Sequence, residues 1–139
     1  MRTDRENAVR WVPGNRRGHV ESHFLRANSP DGRRAVWIKH TLLQPSGRAA
    51  REPTAEVWAI AFERGAAGFP RGGKVSMPID EARFRASPFR TEAAGSVLEI
   101  PPKEGRAEGS LSTADGDRLR WSLRFAPVGP PFLPYPAEV

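Results

Sequence analysis

Glycine and proline recur along the whole sequence and limit the kinds of structure that it can form. The 139 residues include 13 Gly and 14 Pro, which are spread over the chain and not gathered in one segment. Both residues weaken the interior of a helix, because Gly has too much backbone freedom and Pro lacks an amide donor. The pattern therefore predicts an all-β fold of short strands joined by turns.

Alternating apolar and polar residues predict seven strands. These are residues 19–27, 34–43, 55–63, 73–79, 96–100, 106–113 and 118–125. The last segment is the clearest, because Leu119, Trp121, Leu123 and Phe125 alternate with Arg and Ser. Turns with Pro30-Asp31-Gly32 and Asp115-Gly116 predict antiparallel hairpins. We expect about eight short antiparallel strands and at most one short helix, at residues 80–86, arranged either as a closed or nearly closed barrel or as a two-sheet sandwich.

The length predicts a single domain with one core. We place this domain at residues 1–126. Residues 127–139 contain five prolines and cannot continue a sheet, so they are predicted to form an extended tail or a linker.

Composition excludes several classes of function. The chain has no cysteine, which removes disulfide scaffolds and thiolate metal sites and fits a cytoplasmic location. Neither a signal peptide nor a membrane span of about 18 apolar residues is visible. The net charge of +6 invites a nucleic-acid partner, but the basic residues are scattered with acidic residues between them. We therefore predict no nucleic-acid binding.

All three histidines lie in the predicted hairpin of residues 18–41. If Ala27 pairs with Arg34, then His19, Glu21, His23 and His40 share one face, and Glu21 lies opposite His40. The same register places Lys39 on the other face, so at most one of Glu21 and Lys39 lines the interior. The shared face is compatible with a metal cluster, with a Glu21–His40 contact, or with unrelated histidines. We favour the last two and predict neither a metal site nor a cofactor.

Two other sequence motifs could indicate nucleotide binding or hydrolysis. Gly68 to Lys74 satisfies the G-x-x-x-x-G-K spacing of a P-loop, but Val75 replaces the required Ser or Thr and no helix follows. The sequence has no G-x-S-x-G motif, so it gives little support to serine hydrolase chemistry. The strand aromatics, among them Trp37 and Trp58, are expected to be mainly core residues; the alternative is that they line a cavity for an apolar ligand.

Several motifs give the chain a family resemblance. They are RRGHVESHFLRAN at residues 16–28, Pro30-Asp31-Gly32, AVWIK at 35–39, AEVW at 55–58, PIDEARF at 78–84, Gly109-Ser110-Leu111 and the Trp121 strand. In this order they resemble the N-terminal lipocalin-like domain of the AttH / carotenoid 1,2-hydratase (hydroxyneurosporene synthase) superfamily. The likeness spans nearly the whole chain. Two positions depart from the family pattern, since His23 replaces a Tyr and Lys74 stands where a His is expected.

The resemblance implies a lipocalin-like (calycin) β-barrel that binds a hydrophobic molecule of the isoprenoid, carotenoid or lipid-like type. The expected ligand contacts are His23, Trp37, Lys39, His40 and Trp58. The alternative is a hydratase or lyase that acts on an isoprenoid double bond, with Glu21 as the general acid and its pKa raised by burial. The resemblance also implies a second lipocalin-like domain or a homodimer as the partner of this one.

Overall fold

The computed structural model describes residues 8–14, 17–47, 51–86, 88–100 and 103–130. Nine strands and one single-turn 3₁₀ helix follow one another along these residues. They are β1 (His19–Asn28), β2 (Arg34–Gln44), β3 (Thr54–Glu63), β4 (Arg71–Pro78), the 3₁₀ turn (Ile79–Glu81), β5 (Arg83–Arg85), β6 (Phe89–Ala93), β7 (Ser96–Ile100), β8 (Gly105–Ser112) and β9 (Arg118–Phe125). The all-β prediction is confirmed. Among these residues no helix is long and apolar enough to cross a membrane.

The strands form two antiparallel sheets, each a simple meander. Sheet A has the order β1-β2-β3-β4, and sheet B has the order β5-β6-β7-β8-β9. Within the described residues no strand pairing joins one sheet to the other, so the barrel is not found there. The two sheets instead share one core between their inner faces.

The core follows from the two-residue repeat of each strand. Ile38, Leu42 and Val57 point inward from sheet A, and Phe89 and Leu98 point inward from sheet B, all at most 2% exposed. The predicted alternation of β9 is confirmed, since its apolar side chains all belong to this core or pack against it. Burial of apolar side chains is the main favourable contribution to such a fold.

The β1–β2 hairpin forms where the sequence predicts it, but the predicted pairing of Ala27 with Arg34 is wrong. Asn28 pairs with Ala35, so the connection begins one residue later than expected. Ser29 causes this difference, because its amide and hydroxyl group bond the backbone of Arg34 at 2.8 and 2.9 Å. The observed pairing of β1 with β2 therefore differs from the predicted pairing by two residues. This difference leaves every side chain on its predicted face.

The segment after β4 differs from the predicted short helix at residues 80–86. Only the single turn Ile79–Glu81 is helical, and the short strand β5 follows it. Strands β5 and β6, which the sequence patterns did not indicate, raise the count from the seven predicted segments to nine, against the expected total of about eight. The predicted tail lies largely outside the described residues, and β9 ends at Phe125, just before it.

Gly73 allows the two sheets to approach each other closely. A Cβ atom at this position would lie 2.6 Å from the backbone oxygen of Ser112 and 2.7 Å from a methyl group of Leu111, both near the end of β8. Gly73 and Lys74 of the P-loop-like spacing thus lie in strand β4, as the predicted strand at residues 73–79 indicates, and Gly68 lies in the loop before it.

We expect Gly73→Ala to lower the free energy of unfolding by about 1–3 kcal/mol, because the added methyl group meets backbone atoms that cannot rotate away. Urea denaturation measures the loss. Gly72→Ala is the matched control in the same strand, because its contacts are milder: its Cβ would lie 3.1 Å from the Ile60 side chain and 3.2 Å from the backbone oxygen of Ala59. Equal losses in the two variants would contradict the proposed close approach.

Candidate functional site

The six predicted site residues lie on the two faces of sheet A. Glu21, His23 and His40 point inward, whereas Trp37, Lys39 and Trp58 point outward. The prediction that Glu21 and Lys39 occupy opposite faces is confirmed. The structure thus forms two separate groups, one between the sheets and one on the outside.

Glu21 is the centre of the inner group. Its carboxylate accepts hydrogen bonds from the backbone amides of Arg10 and Trp11 at 3.0 and 3.1 Å. The Nε2 atoms of His19 and His23 lie 3.0 and 3.2 Å from its two oxygens. The side chain is 11% exposed. These contacts, here called the Glu21 cluster, attach the segment before β1 to the inner face of the sheet.

The pKa of Glu21 is lowered, so the expectation that burial would raise it is wrong. Burial does raise the pKa of this carboxyl group, but the hydrogen bonds of His19 and Arg10 and the proximity of His23 outweigh it. Glu21 is therefore a carboxylate at neutral pH. In this state it accepts hydrogen bonds and has no proton to give to a substrate.

His23 packs between Glu21 and the core. Burial lowers its pKa, although Glu21 acts in the opposite direction. At neutral pH the ring is thus uncharged, and its Nε2–H donates to the carboxylate. The other side of the ring contacts Phe89, with the ring centroids 4.6 Å apart. The contact with Glu21 is therefore a hydrogen bond of a neutral imidazole.

His40 joins the two sheets. Its Nδ1 lies 2.8 Å from the hydroxyl oxygen of Thr91, and its Nε2 lies 3.0 Å from that of Ser96. Burial and the neighbouring His23 lower the pKa of His40 to about 4. The predicted Glu21–His40 contact is wrong, because Glu21 lies opposite Leu42 in the true register. His40 is 3% exposed and acts as a neutral bridge inside the core.

Within the ranges that the structure covers, no three His, Asp or Glu side chains are arranged to hold a metal ion. In the Glu21 cluster, the two backbone amides already occupy both carboxylate oxygens.

The outer group is wider than the sequence indicated. We call it the aromatic face and define it as Phe24, Trp37, Lys39, Trp58, Ile60, Phe62 and Lys74, which all project from the outer side of sheet A. Three of its aromatic side chains are well exposed: Phe24 at 64%, Phe62 at 41% and Trp37 at 38%. The outer side of a sheet usually carries polar residues, so this apolar exposure is unusual.

Trp58 lies at the centre of the aromatic face and is held in place by its neighbours. The ammonium groups of Lys39 and Lys74 lie 4.5 and 4.9 Å from the centroid of its ring. The indole N–H donates to Glu56 at 3.0 Å, and Lys74 pairs with the other oxygen of Glu56 at 3.1 Å. Such cation–π contacts contribute about 0.5–1 kcal/mol each at exposed sites. Strand pairing explains both lysine contacts, because Lys39 on β2 and Lys74 on β4 are the two residues paired with Trp58.

Beside Trp58 the outer surface forms a groove of about 370 Å³. It is lined by Trp58, Ile60, Pro70, Gly72, Gly73 and Lys74. Gly72 leaves room in this groove because it lacks a side chain: a Cβ atom there would lie 3.1 Å from the Ile60 side chain. On the other side of Trp58, the rings of Phe24 and Trp37 are nearly perpendicular, with their centroids 6.2 Å apart.

The expectation that the strand aromatics are mainly core residues is wrong for Trp37 and Trp58, which belong to the aromatic face. Sequence reasoning also missed four of its members: Phe24, Ile60, Phe62 and Lys74. The signal was present, because Lys74 and Ser76 alternate with Val75 and Met77 along β4. The sequence did not indicate the register of β3 against β4, and it is this register that places Lys74 directly beside Trp58.

Compared with known proteins, the chain matches no protein-family model, no curated protein and no solved structure. The family resemblance noted from the sequence motifs therefore stays a prediction.

We expect His40→Gln to change how stability depends on pH. Between pH 6.5 and about 4, the unfolded chain protonates His40 while the folded chain does not, so the wild type loses stability as the pH falls. This loss is on the order of 3 kcal/mol. Urea denaturation from pH 8 to pH 4 should show a shallower dependence in the variant, which is also less stable at pH 8. Parallel profiles would contradict the bridge.

Glu21→Gln should destabilise the protein by about 1.5–3 kcal/mol at pH 7, because hydrogen bonds to a charged acceptor are lost. The pKa of the folded-state carboxyl lies below its ordinary value, so the wild type keeps this advantage above that value and loses it as the pH falls through the lowered pKa. The two proteins should therefore converge in acid. Thermal unfolding over pH 3–7 measures this, with the exposed Glu81→Gln as the control. A difference at pH 3 as large as that at pH 7 would refute the role of the charge.

Proposed function

We propose that this protein binds a hydrophobic small molecule of the isoprenoid, carotenoid or lipid-like class on the aromatic face. The observation that carries the proposal is the exposure of Phe24, Trp37 and Phe62 side by side with the partly exposed Trp58. Soluble monomers rarely expose a contiguous apolar patch of this kind, and such patches mark binding sites. Trp37, Lys39 and Trp58 act as ligand contacts in this proposal.

The groove supports a small ligand. Its volume of about 370 Å³ lies within the range of small-molecule sites, about 300–1,000 Å³. Trp58 forms an apolar wall, and the row of Trp37 and Phe24 extends this surface for an elongated molecule. Lys39 and Lys74 provide polar contacts for one end of the ligand. A few polar groups around an apolar surface are what orients a ligand in such sites.

The finer form of the fold belongs to the same proposal. We suggest that the two meanders are the walls of a lipocalin-like barrel, whose closure requires β4 to meet β5 and β9 to meet β1. Support comes from the order of the strands, since each pairs with its neighbour in sequence within both sheets. His23 and His40 then belong to the inner wall, and they shape the site by holding β1 and β2 in place.

Binding without chemical conversion is favoured over the hydratase alternative. A general acid must carry a proton at the working pH. Glu21 is surrounded by hydrogen-bond donors that stabilise its charged form. The lysines also favour a ligand over self-association through the aromatic face, because a second copy would bring Lys39 and Lys74 close to the same charges.

Retinol, an isoprenoid whose fluorescence rises in an apolar site, tests the proposal. We expect saturable binding to the wild-type chain, with Ile60→Ser raising Kd about tenfold because apolar contact area is lost. Ile100→Ser is the matched control, since Ile100 is also partly exposed but belongs to sheet B.

No saturable binding, or equal weakening by both isoleucine variants, would refute the proposed site. The retinol recovered from the complex should have its original mass. A gain of one water molecule that disappears in Glu21→Gln would instead establish the hydratase alternative.

A further inference from the structure

The fold collects arginines that are scattered in the sequence onto one surface. Seven of them project from the outer side of sheet B, which we call the arginine face: Arg83, Arg85, Arg90, Arg106, Arg118, Arg120 and Arg124. Three glutamates, Glu92, Glu99 and Glu108, lie on the same side. The strands of this face therefore carry four net positive charges, out of six for the whole chain.

Ion pairs within the protein neutralise only part of this positive charge. Glu99 is shared by Arg85, Arg90 and Arg106, each at 3.0–3.1 Å. Arg83, Arg118 and Arg120 are exposed and form no ion pair with any residue in the described part of the chain. Arg118 only donates to the hydroxyl group of Ser110, at 2.9 Å. These guanidinium groups are thus available to an external anion.

The arginines are spread over two dimensions. They lie on β5, β6, β8 and β9, and neighbouring strands are about 4.8 Å apart, so the charge covers a broad sheet surface. At the β5 edge lies a depression of about 230 Å³, lined by three arginines together with one carboxylate and one ring: Arg83, Arg85, Arg90, Glu92 and Phe84. A guanidinium group binds phosphate oxygens in a bidentate manner. The depression is large enough for a single phosphate-bearing head group.

The face lacks the features expected for a nucleic acid. None of the described side chains that point outward from the strands of sheet B is aromatic, and Val97 is the single apolar residue among them. Single strands are bound largely by stacking of bases on aromatic rings. A duplex presents its phosphates along two narrow ridges, whereas a lipid surface presents them in a plane, as the arginine face does.

We propose that the arginine face docks the protein on a membrane surface that contains anionic phospholipids. Each basic residue near such a surface contributes about 1 kcal/mol, and the attraction falls off within a Debye length. The arginine face lies on the opposite side of the molecule from the aromatic face. A docked protein therefore keeps its aromatic face directed to the solvent, and the two surfaces are occupied independently.

Co-sedimentation with phospholipid vesicles tests this proposal. The full chain should bind vesicles of phosphatidylcholine and phosphatidylglycerol, but not vesicles of phosphatidylcholine alone, and added NaCl should weaken the binding. The double variant Arg118→Glu/Arg120→Glu should weaken it at least about tenfold. Both residues are exposed, and neither takes part in an ion pair with a described residue, so the fold should tolerate the change.

Arg33→Glu/Arg64→Glu is the matched control. It makes the same change of charge at two exposed residues next to the strand ends of sheet A. It should retain most of the binding, and equal loss in both double variants would overturn the proposal, because net charge alone would then account for the binding. Displacement of the vesicles by duplex DNA at equal phosphate concentration would also overturn it and identify a nucleic-acid surface.

Two further measurements keep the test decisive. If the charge reversals lower the thermal unfolding midpoint, Arg118→Gln/Arg120→Gln provides the same comparison with a smaller perturbation. Retinol binding should be unchanged in the arginine variants, so a failure of membrane docking is distinguishable from a failure of the proposed ligand site.

Discussion

The hydrogen bonds of His40 with Thr91 and Ser96 set the relation between the two sheets. A buried polar side chain is costly when its groups are unpaired, so this ring fits in only a narrow range of positions between the sheets. Once the inner face of β2 is fixed in this way, the two-residue repeat directs Trp37 and Lys39 outward. The aromatic face is thus a consequence of what β2 buries on its other side.

The Glu21 cluster performs a related task at the start of the chain. Its carboxylate collects the amides of Arg10 and Trp11, which have no strand partner, and it draws Trp11 against the core. A residue that resembles a catalytic acid in the sequence is therefore used here as an acceptor. The same surroundings that hold the segment in place also stabilise the charged form, so structural use and proton donation oppose each other at this position.

The sequence was sufficient for features that depend on neighbouring residues. The alternation of β9, the turn at Gly32 and the assignment of Glu21 and Lys39 to opposite faces all follow from local patterns. The partners of His40 were beyond such reasoning, because Thr91 and Ser96 are 51 and 56 residues away and Thr91 lies on a strand that local patterns did not indicate. The arginine face was missed for the same reason, since residues far apart in the chain become neighbours only through strand pairing.

The contacts around Trp58 fix the orientation of its ring. Its indole N–H is bound to Glu56, and an ammonium group lies against the ring from each neighbouring strand, so the ring has little rotational freedom before any ligand arrives. Binding to a preorganised surface loses little side-chain entropy. A rigid ring also adapts poorly to ligands of different shape, so it discriminates among ligands by their shape. For the ligand proposed above, such a ring would favour flat, extended molecules that match the plane of the indole over bulky ones of equal hydrophobicity.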